Sequence, residues 1–172
     1  MGKDLTGEQM VKKYWKKMER KLLGIGGHAA EYPVRDPHLV RILKDGYTHK
    51  GEIARSLGQP RECHRNSAQL WLLNHGRMSL CTGYALSSGK WLHHSWCSHT
   101  PSDQSWIWET TPVQWTQYFG VLLSTKEACF FYLANVWQHL TDKKRKVLGQ
   151  QYPADIEWLK SVIKAINAGE VT

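Results

Sequence analysis

Apolar side chains in the first 24 residues recur every three or four positions. Met10, Val11, Tyr14, Trp15, Met18, Leu22 and Leu23 are spaced this way, with lysines between them. That is the period of an amphipathic helix. Thr6 followed three residues on by Gln9 is a capping-box start, and Gly24, Gly26 and Gly27 withdraw helical support at the other end. Tyr32-Pro33 and Asp36-Pro37 predict an irregular connection, and residues 38–43 a short helix closed near Gly46. Residues 47–62 are polar, contain Gly51, Gly58 and Pro60, and read as a long loop. From Cys63 the helical spacing returns, with Cys63, Ser67, Leu70 and Trp71 on one face up to Asn74-His75-Gly76. The period then changes from helix-like to strand-like. Residues 78–86, 91–100, 105–111 and 118–123 predict four strands, with Ser87-Ser88-Gly89-Lys90 and Pro101-Ser102-Asp103 as turns. Ser124 with Glu127 caps a helix running to about residue 140, and Pro153 opens a last helix ending near Ala168.

This order predicts one α+β domain over residues 1–172. A basic helix (1–24) precedes a helix and antiparallel meander (58–123), and helices (124–172) close the chain. At 172 residues, with 41% hydrophobic and 22% charged positions, the chain is long and apolar enough to bury a core. It holds no run of the roughly 20 apolar residues that span a bilayer. The N-terminal residues lack the apolar stretch of a secretory signal. Four scattered cysteines, Cys63, Cys81, Cys97 and Cys129, do not make a disulfide framework. The expectation is a cytoplasmic protein with reduced thiols and no membrane partner.

Cys63 follows Gly58-Gln59-Pro60 and opens a predicted helix. A helix N-terminus favours a thiolate, and a nucleophilic thiol also needs an imidazole and a group to orient that imidazole. If the turn between the second and third strands centres between Pro101 and Ser102, His94 falls opposite Glu109, with Cβ atoms about 5 Å apart. A carboxylate at that distance can hold the second ring nitrogen. A shifted turn would change the pairing. His93, the strand neighbour of His94, would face the other way, toward solvent.

Cysteine at a helix start, histidine on one strand and an acidic residue on the next is the chain order of papain-like thiol hydrolases, which this segment resembles. Cys63-His64-x-Asn66, Gly83-Tyr84-Ala85-Leu86, Gly89-x-Trp91, His94-Ser95-Trp96, Glu109-Thr110-Thr111 and Tyr118-Phe119-Gly120 also resemble small uncharacterised bacterial and phage proteins. The resemblance covers residues 58–122. It implies a papain-like fold in which Cys63, His94 and Glu109 form a triad acting on an amide bond of a protein or peptide, without a cofactor. Gln59 is the residue matching the family's oxyanion glutamine. Asn66 and Trp96 are candidates for the substrate-binding wall. A phage-encoded enzyme of this kind would act in the bacterial cytoplasm.

Two other chemistries stay open. Cys63, His64, Cys81, His94, Cys97 and His99 are soft metal ligands, but no Cys-x-x-Cys or zinc-finger spacing occurs, so no metal site is expected. The net charge of +8 is concentrated: residues 1–24 hold seven Lys and Arg against three carboxylates, and Lys143-Lys144-Arg145-Lys146 follows a single Asp142. A non-enzymatic module could use these basic helices against an acidic protein or a nucleic acid. Nine tryptophans add stacking surfaces, of which most are expected in the core.

Overall fold

The computed structural model describes residues 6–75, 77–100 and 104–171. Helix α1, Gly7–Ile25, begins as its sequence predicts: the Thr6 hydroxyl accepts from Gln9 N and the Gln9 side chain accepts from Thr6 N. Val11, Trp15, Met18 and Leu22 are buried along one face, which fixes the helix against the protein. The short β1 (Ala29–Ala30), α2 (Leu39–Asp45), β2 (Tyr47–His49) and β3 (Glu52–Arg55) follow. Helix α3 is Cys63–Leu73, then come β4 (Ser79–Ser87), β5 (Lys90–His99), β6 (Trp106–Glu109) and β7 (Gln117–Leu122). Three helices end the chain: α4 (Thr125–Asn135), capped by a second complete capping box at Ser124 and Glu127, α5 (Asp142–Gln151) and α6 (Pro153–Asn167).

The protein is α+β, but the sheet is larger than a meander and is mixed. Its seven strands run in the order β2-β7-β4-β5-β6-β3, with β1 paired to β5. The central order β7-β4-β5-β6 is that of a Greek key. β3 pairs in parallel with β6 and β1 in parallel with β5, while β2 is antiparallel to β7. The predicted loop at 47–62 therefore contains two strands. They are three and four residues long, too short for alternation of apolar and polar residues to develop in them. The helix predicted to run to about residue 140 ends at Asn135. A 3-10 turn, Trp137–His139, intervenes, and Thr141 caps α5 through Lys144 N.

The β4–β5 turn matches its sequence signal. Ser88 and Gly89 both have positive φ, 50° and 76°, as a two-residue type I′ turn requires. The β5–β6 register differs from the expected one. Cys97 pairs with Trp108, Ser98 with Ile107 and His99 with Trp106. One further step sets Glu109 opposite Trp96 instead of His94. The displacement is two residues, so the alternation of faces along each strand is preserved. The turn residues 101–103, on which the symmetric pairing rested, lie outside the described residues, as do Gly76 and the first five residues.

The chain divides into two compact units. One comprises Met1–Lys50, Thr82–Ser95 and Val113–Val121, and the other Gly51–Cys81, Trp96–Pro112 and Leu122–Thr172. In the first, Leu39, Ile42, Tyr84 and Trp91 join the apolar face of α1 in the core, and Trp91 Nε1 donates to Gly26 O at 2.7 Å. In the second, α3, α4 and α6 pack together around Ala68, Trp71, Leu72, Cys129, Tyr132, Ile156 and Leu159. Among the described residues no helix is long and apolar enough to cross a membrane.

Candidate functional site

Cys63 is the first residue of α3, and it is the one cysteine of the four that is not buried. The others are disabled by their surroundings. Burial pushes the Cys81 thiol far up. Burial also raises Cys97, helped by the nearby Glu109 carboxylate, and it raises Cys129. Cys97 Sγ donates to Ser67 O at 3.3 Å, a packing role in the core.

Helical spacing puts Cys63 on the same face as Asn66 and Ser67, three and four residues on. That face is turned to the end of β6. The Ser67 and Thr110 hydroxyls lie 3.2 Å apart, and Asn66 Nδ2 donates to Thr110 O at 3.4 Å. The approach loop is fastened to the same points. Gly58 N donates to Thr110 O and Ser56 N to Glu109 O, while Asn66 Oδ1 accepts from Gln59 N and its Nδ2 donates to Gln59 O at 2.7 Å. Cys63 therefore sits at a helix start clasped to the residue that follows Glu109.

Glu109 is 1% exposed. Its Oε1 accepts from Thr110 N at 2.9 Å, from Thr111 N at 2.7 Å and from Thr111 Oγ1 at 2.7 Å. Three donors on one oxygen fix the carboxylate in a single orientation, the requirement for a group that is to orient something else. The two threonines that supply these bonds carry no signal in the sequence beyond standing next to an acid. Their role depends on how the chain turns after β6.

The remaining candidates are placed as follows. Asn66 is buried and its amide is committed to Gln59 and Thr110, so it holds the loop, with no donor left over for a substrate. The Gln59 side chain is exposed beside the helix start, and its backbone is the partner of Asn66. Trp96 is fully buried in the same unit as Cys63 and Glu109. His94 belongs to the other unit, where it is 1% exposed and packs its ring 4.4 Å from Trp115 and 6.3 Å from Tyr118.

His93, expected in solvent, is largely enclosed. Its side chain is 17% exposed, its ring lies 5.4 Å from Tyr84, and its Nε2 is 3.7 Å from Asp36 Oδ2. Asp36 is fully buried; Tyr84 Oη donates to it at 2.8 Å and His38 N at 2.9 Å. Burial raises the Asp36 carboxyl and, with the Asp36 charge beside it, raises the Tyr84 phenol. Burial also lowers His93 to about 3. Residues 36, 84 and 93 are too far apart in sequence for spacing to reveal this cluster.

A cavity of about 270 Å³ opens beside the start of α3, lined by Glu62, His64, Arg65, Asn135 and His139. Arg65 Nη1 is paired with Glu62 Oε2 at 3.0 Å, and His64 meets Phe131 edge-on at 5.8 Å. Among the described residues no three His, Cys, Asp or Glu side chains converge as metal ligands would. No protein-family model matches the chain, and neither a curated protein nor a solved structure is detectably similar to it.

Gly58 is the pivot of the loop clasp, because a Cβ there would overlap the Asn66 amide. Gly58→Ala is expected to break the Asn66–Gln59 bonds and to cost about 1–3 kcal/mol through overpacking. Hydrogen exchange at Gln59 N and Asn66 N should accelerate in that variant while exchange in α1 stays unchanged.

Proposed function

We propose that this chain is a thiol-dependent hydrolase or acyl transferase acting on an amide bond of a protein or peptide, on a papain-like plan. Cys63 is the nucleophile, His94 the proton carrier and Glu109 the group that orients the imidazole. The observation carrying this reading is the state of the four thiols. Three are buried, and the fourth stands at a helix N-terminus on the face that is tied to the strand end bearing a fixed, buried carboxylate.

In the proposed reaction the Cys63 thiolate attacks the substrate carbonyl and forms a tetrahedral oxyanion. The Cys63 backbone N–H, one of the amides left unpaired at a helix start, and the Gln59 side chain are the donors assigned to it. Collapse breaks the C–N bond, and imidazolium His94 gives its proton to the departing amine. Water then attacks the thioester with His94 as base, which releases the acid and restores the thiol. An amine in place of water completes a transfer instead.

The test is alkylation of native protein by iodoacetamide at pH 6, read cysteine by cysteine by mass spectrometry. Cys63 should react fastest, and His94→Asn should cut that rate at least roughly tenfold if an imidazole supports the thiolate. Exposure alone would make Cys63 fast in both proteins. Equal rates in the wild type and in a folded His94→Asn variant would therefore sink the proposal. Because His94 is buried, Glu109→Gln serves as the second variant and should also slow Cys63.

A further inference from the structure

The outward face of α1 carries Lys12, Lys13, Lys16, Lys17 and Arg20, all exposed. None of the five has a carboxylate partner among the described residues, whereas Arg145 on α5 is paired with Asp142 at 3.0 Å and Lys160 on α6 with Glu157 at 2.7 Å. At 1.5 Å per residue the five cations cover about 12 Å of helix, in two rows with steps of four residues. The apolar side chains of α1 point the other way: Val11, Met18 and Leu22 are fully buried and Trp15 is 7% exposed. A solvated helix ordinarily alternates charge signs and satisfies its cations locally. This one sets five cations against two carboxylates, Glu8 and Glu19, which stand at the edge of the basic face.

We infer that this face of α1 binds the phosphate backbone of duplex nucleic acid without reading its sequence. The kind of cation and the absence of other features both favour this ligand. A membrane-lying helix needs its apolar side toward the lipid, and here that side is inside the protein. A protein partner would find no exposed aromatic or aliphatic anchor between residues 8 and 20, since Met10 and Tyr14 are only partly accessible and Lys13 Nζ sits 5.1 Å from the Tyr14 ring. Single strands are held largely by stacking on exposed aromatic rings, which this face lacks. What remains is electrostatic contact. Four of the five cations are lysines, compact point charges suited to phosphate contact. A duplex carries one charge per about 1.7 Å of axis, so a 12 Å stripe meets about seven phosphates.

The experiment is fluorescence anisotropy of a labelled 20-base-pair duplex titrated with the full chain at several salt concentrations. With five phosphate contacts, log K should fall against log salt with a slope of about −4.5. Replacing Lys12, Lys13, Lys16 and Lys17 together by Gln should weaken binding by roughly 100-fold or more and bring the slope to about −1. Replacing Lys50, Lys143, Lys144 and Lys146 by Gln removes the same net charge from exposed sites elsewhere and should change affinity less than about threefold. Equal losses in the two quadruple variants would mean diffuse attraction by net charge and overturn the inference. So would tighter binding of a labelled polyglutamate peptide than of the duplex, or no duplex binding at low salt. All eight lysines are exposed, so circular dichroism should show both variants folded.

Discussion

Glu109→Ala is expected to lower stability by about 3–5 kcal/mol, because three buried donors lose their acceptor at once. Thr110 N, Thr111 N and Thr111 Oγ1 all donate to one oxygen of a side chain that is 1% exposed. Truncation leaves those donors facing the void where the carboxylate stood, and each unsatisfied buried group costs about 1–3 kcal/mol. Glu109→Gln keeps an accepting oxygen and should cost no more than about half as much. Thr111→Val removes only the hydroxyl donor and should cost about 1–2 kcal/mol. Urea midpoints for the three variants would check this order. A loss below about 1 kcal/mol for Glu109→Ala would mean that the threonine amides find other partners. Stability and catalysis make separable demands on this residue. Glu109→Gln should retain most of the fold yet lose the negative charge that the proposed imidazole partner needs.

What was legible in the sequence was local. The starts of α1 and α4 could be read because a capping box is a four-residue signal whose two hydrogen bonds both lie within it. The β4–β5 turn could be read because Gly89 sits where a positive φ is required. Cys63 could be placed at a helix start from the Gly-Gln-Pro loop before it. The failures were non-local. β3 is four residues long and gains its stability by pairing in parallel with β6, some fifty residues away. The β5–β6 register depends on which of Pro101, Ser102 and Asp103 occupy the turn, and all three are turn-formers, so composition does not choose. For His93, strand alternation alone predicts solvent. Alternation says which side a residue takes but not what lies on that side, and here it is Tyr84 and Asp36. At the candidate site, the acid was legible but its three donors were not, because they are adjacent backbone and hydroxyl groups brought round by the turn after β6.

Two enclosed histidines should each draw stability from the protein as pH falls below 6.5. His49 is 8% exposed, with its ring stacked on Tyr47 at 4.2 Å; burial lowers it to about 4 against the smaller opposing effect of a hydrogen bond to the Gly120 backbone. His93 is lowered to about 3, by burial first and then by neighbouring His94 and His38. Well above pH 6.5 both rings are neutral whether the chain is folded or not, and they create no pH dependence. As pH falls below 6.5 the unfolded chain takes up protons that the folded rings refuse, so stability declines until each folded ring titrates. One unit of difference corresponds to about 1.4 kcal/mol, which gives a decline of about 3 kcal/mol for His49, complete near pH 4, and at most about 5 for His93, complete near pH 3. Asp36 opposes this. Its carboxyl is raised by burial, so the folded protein binds that proton more readily than the unfolded chain and recovers part of the loss at low pH. The check is the difference in urea midpoint between wild type and His49→Gln at pH 7, 6, 5 and 4, because Asp36 contributes equally to both proteins. His49→Gln, which cannot take up a proton, should lose about 3 kcal/mol less stability than the wild type between pH 7 and 4, whatever it does to stability at pH 7. If the His49→Gln curve runs parallel to the wild type between pH 6.5 and 4, the ring is not excluded from water in the folded chain, and the acid sensitivity must be sought at His93 beside Asp36.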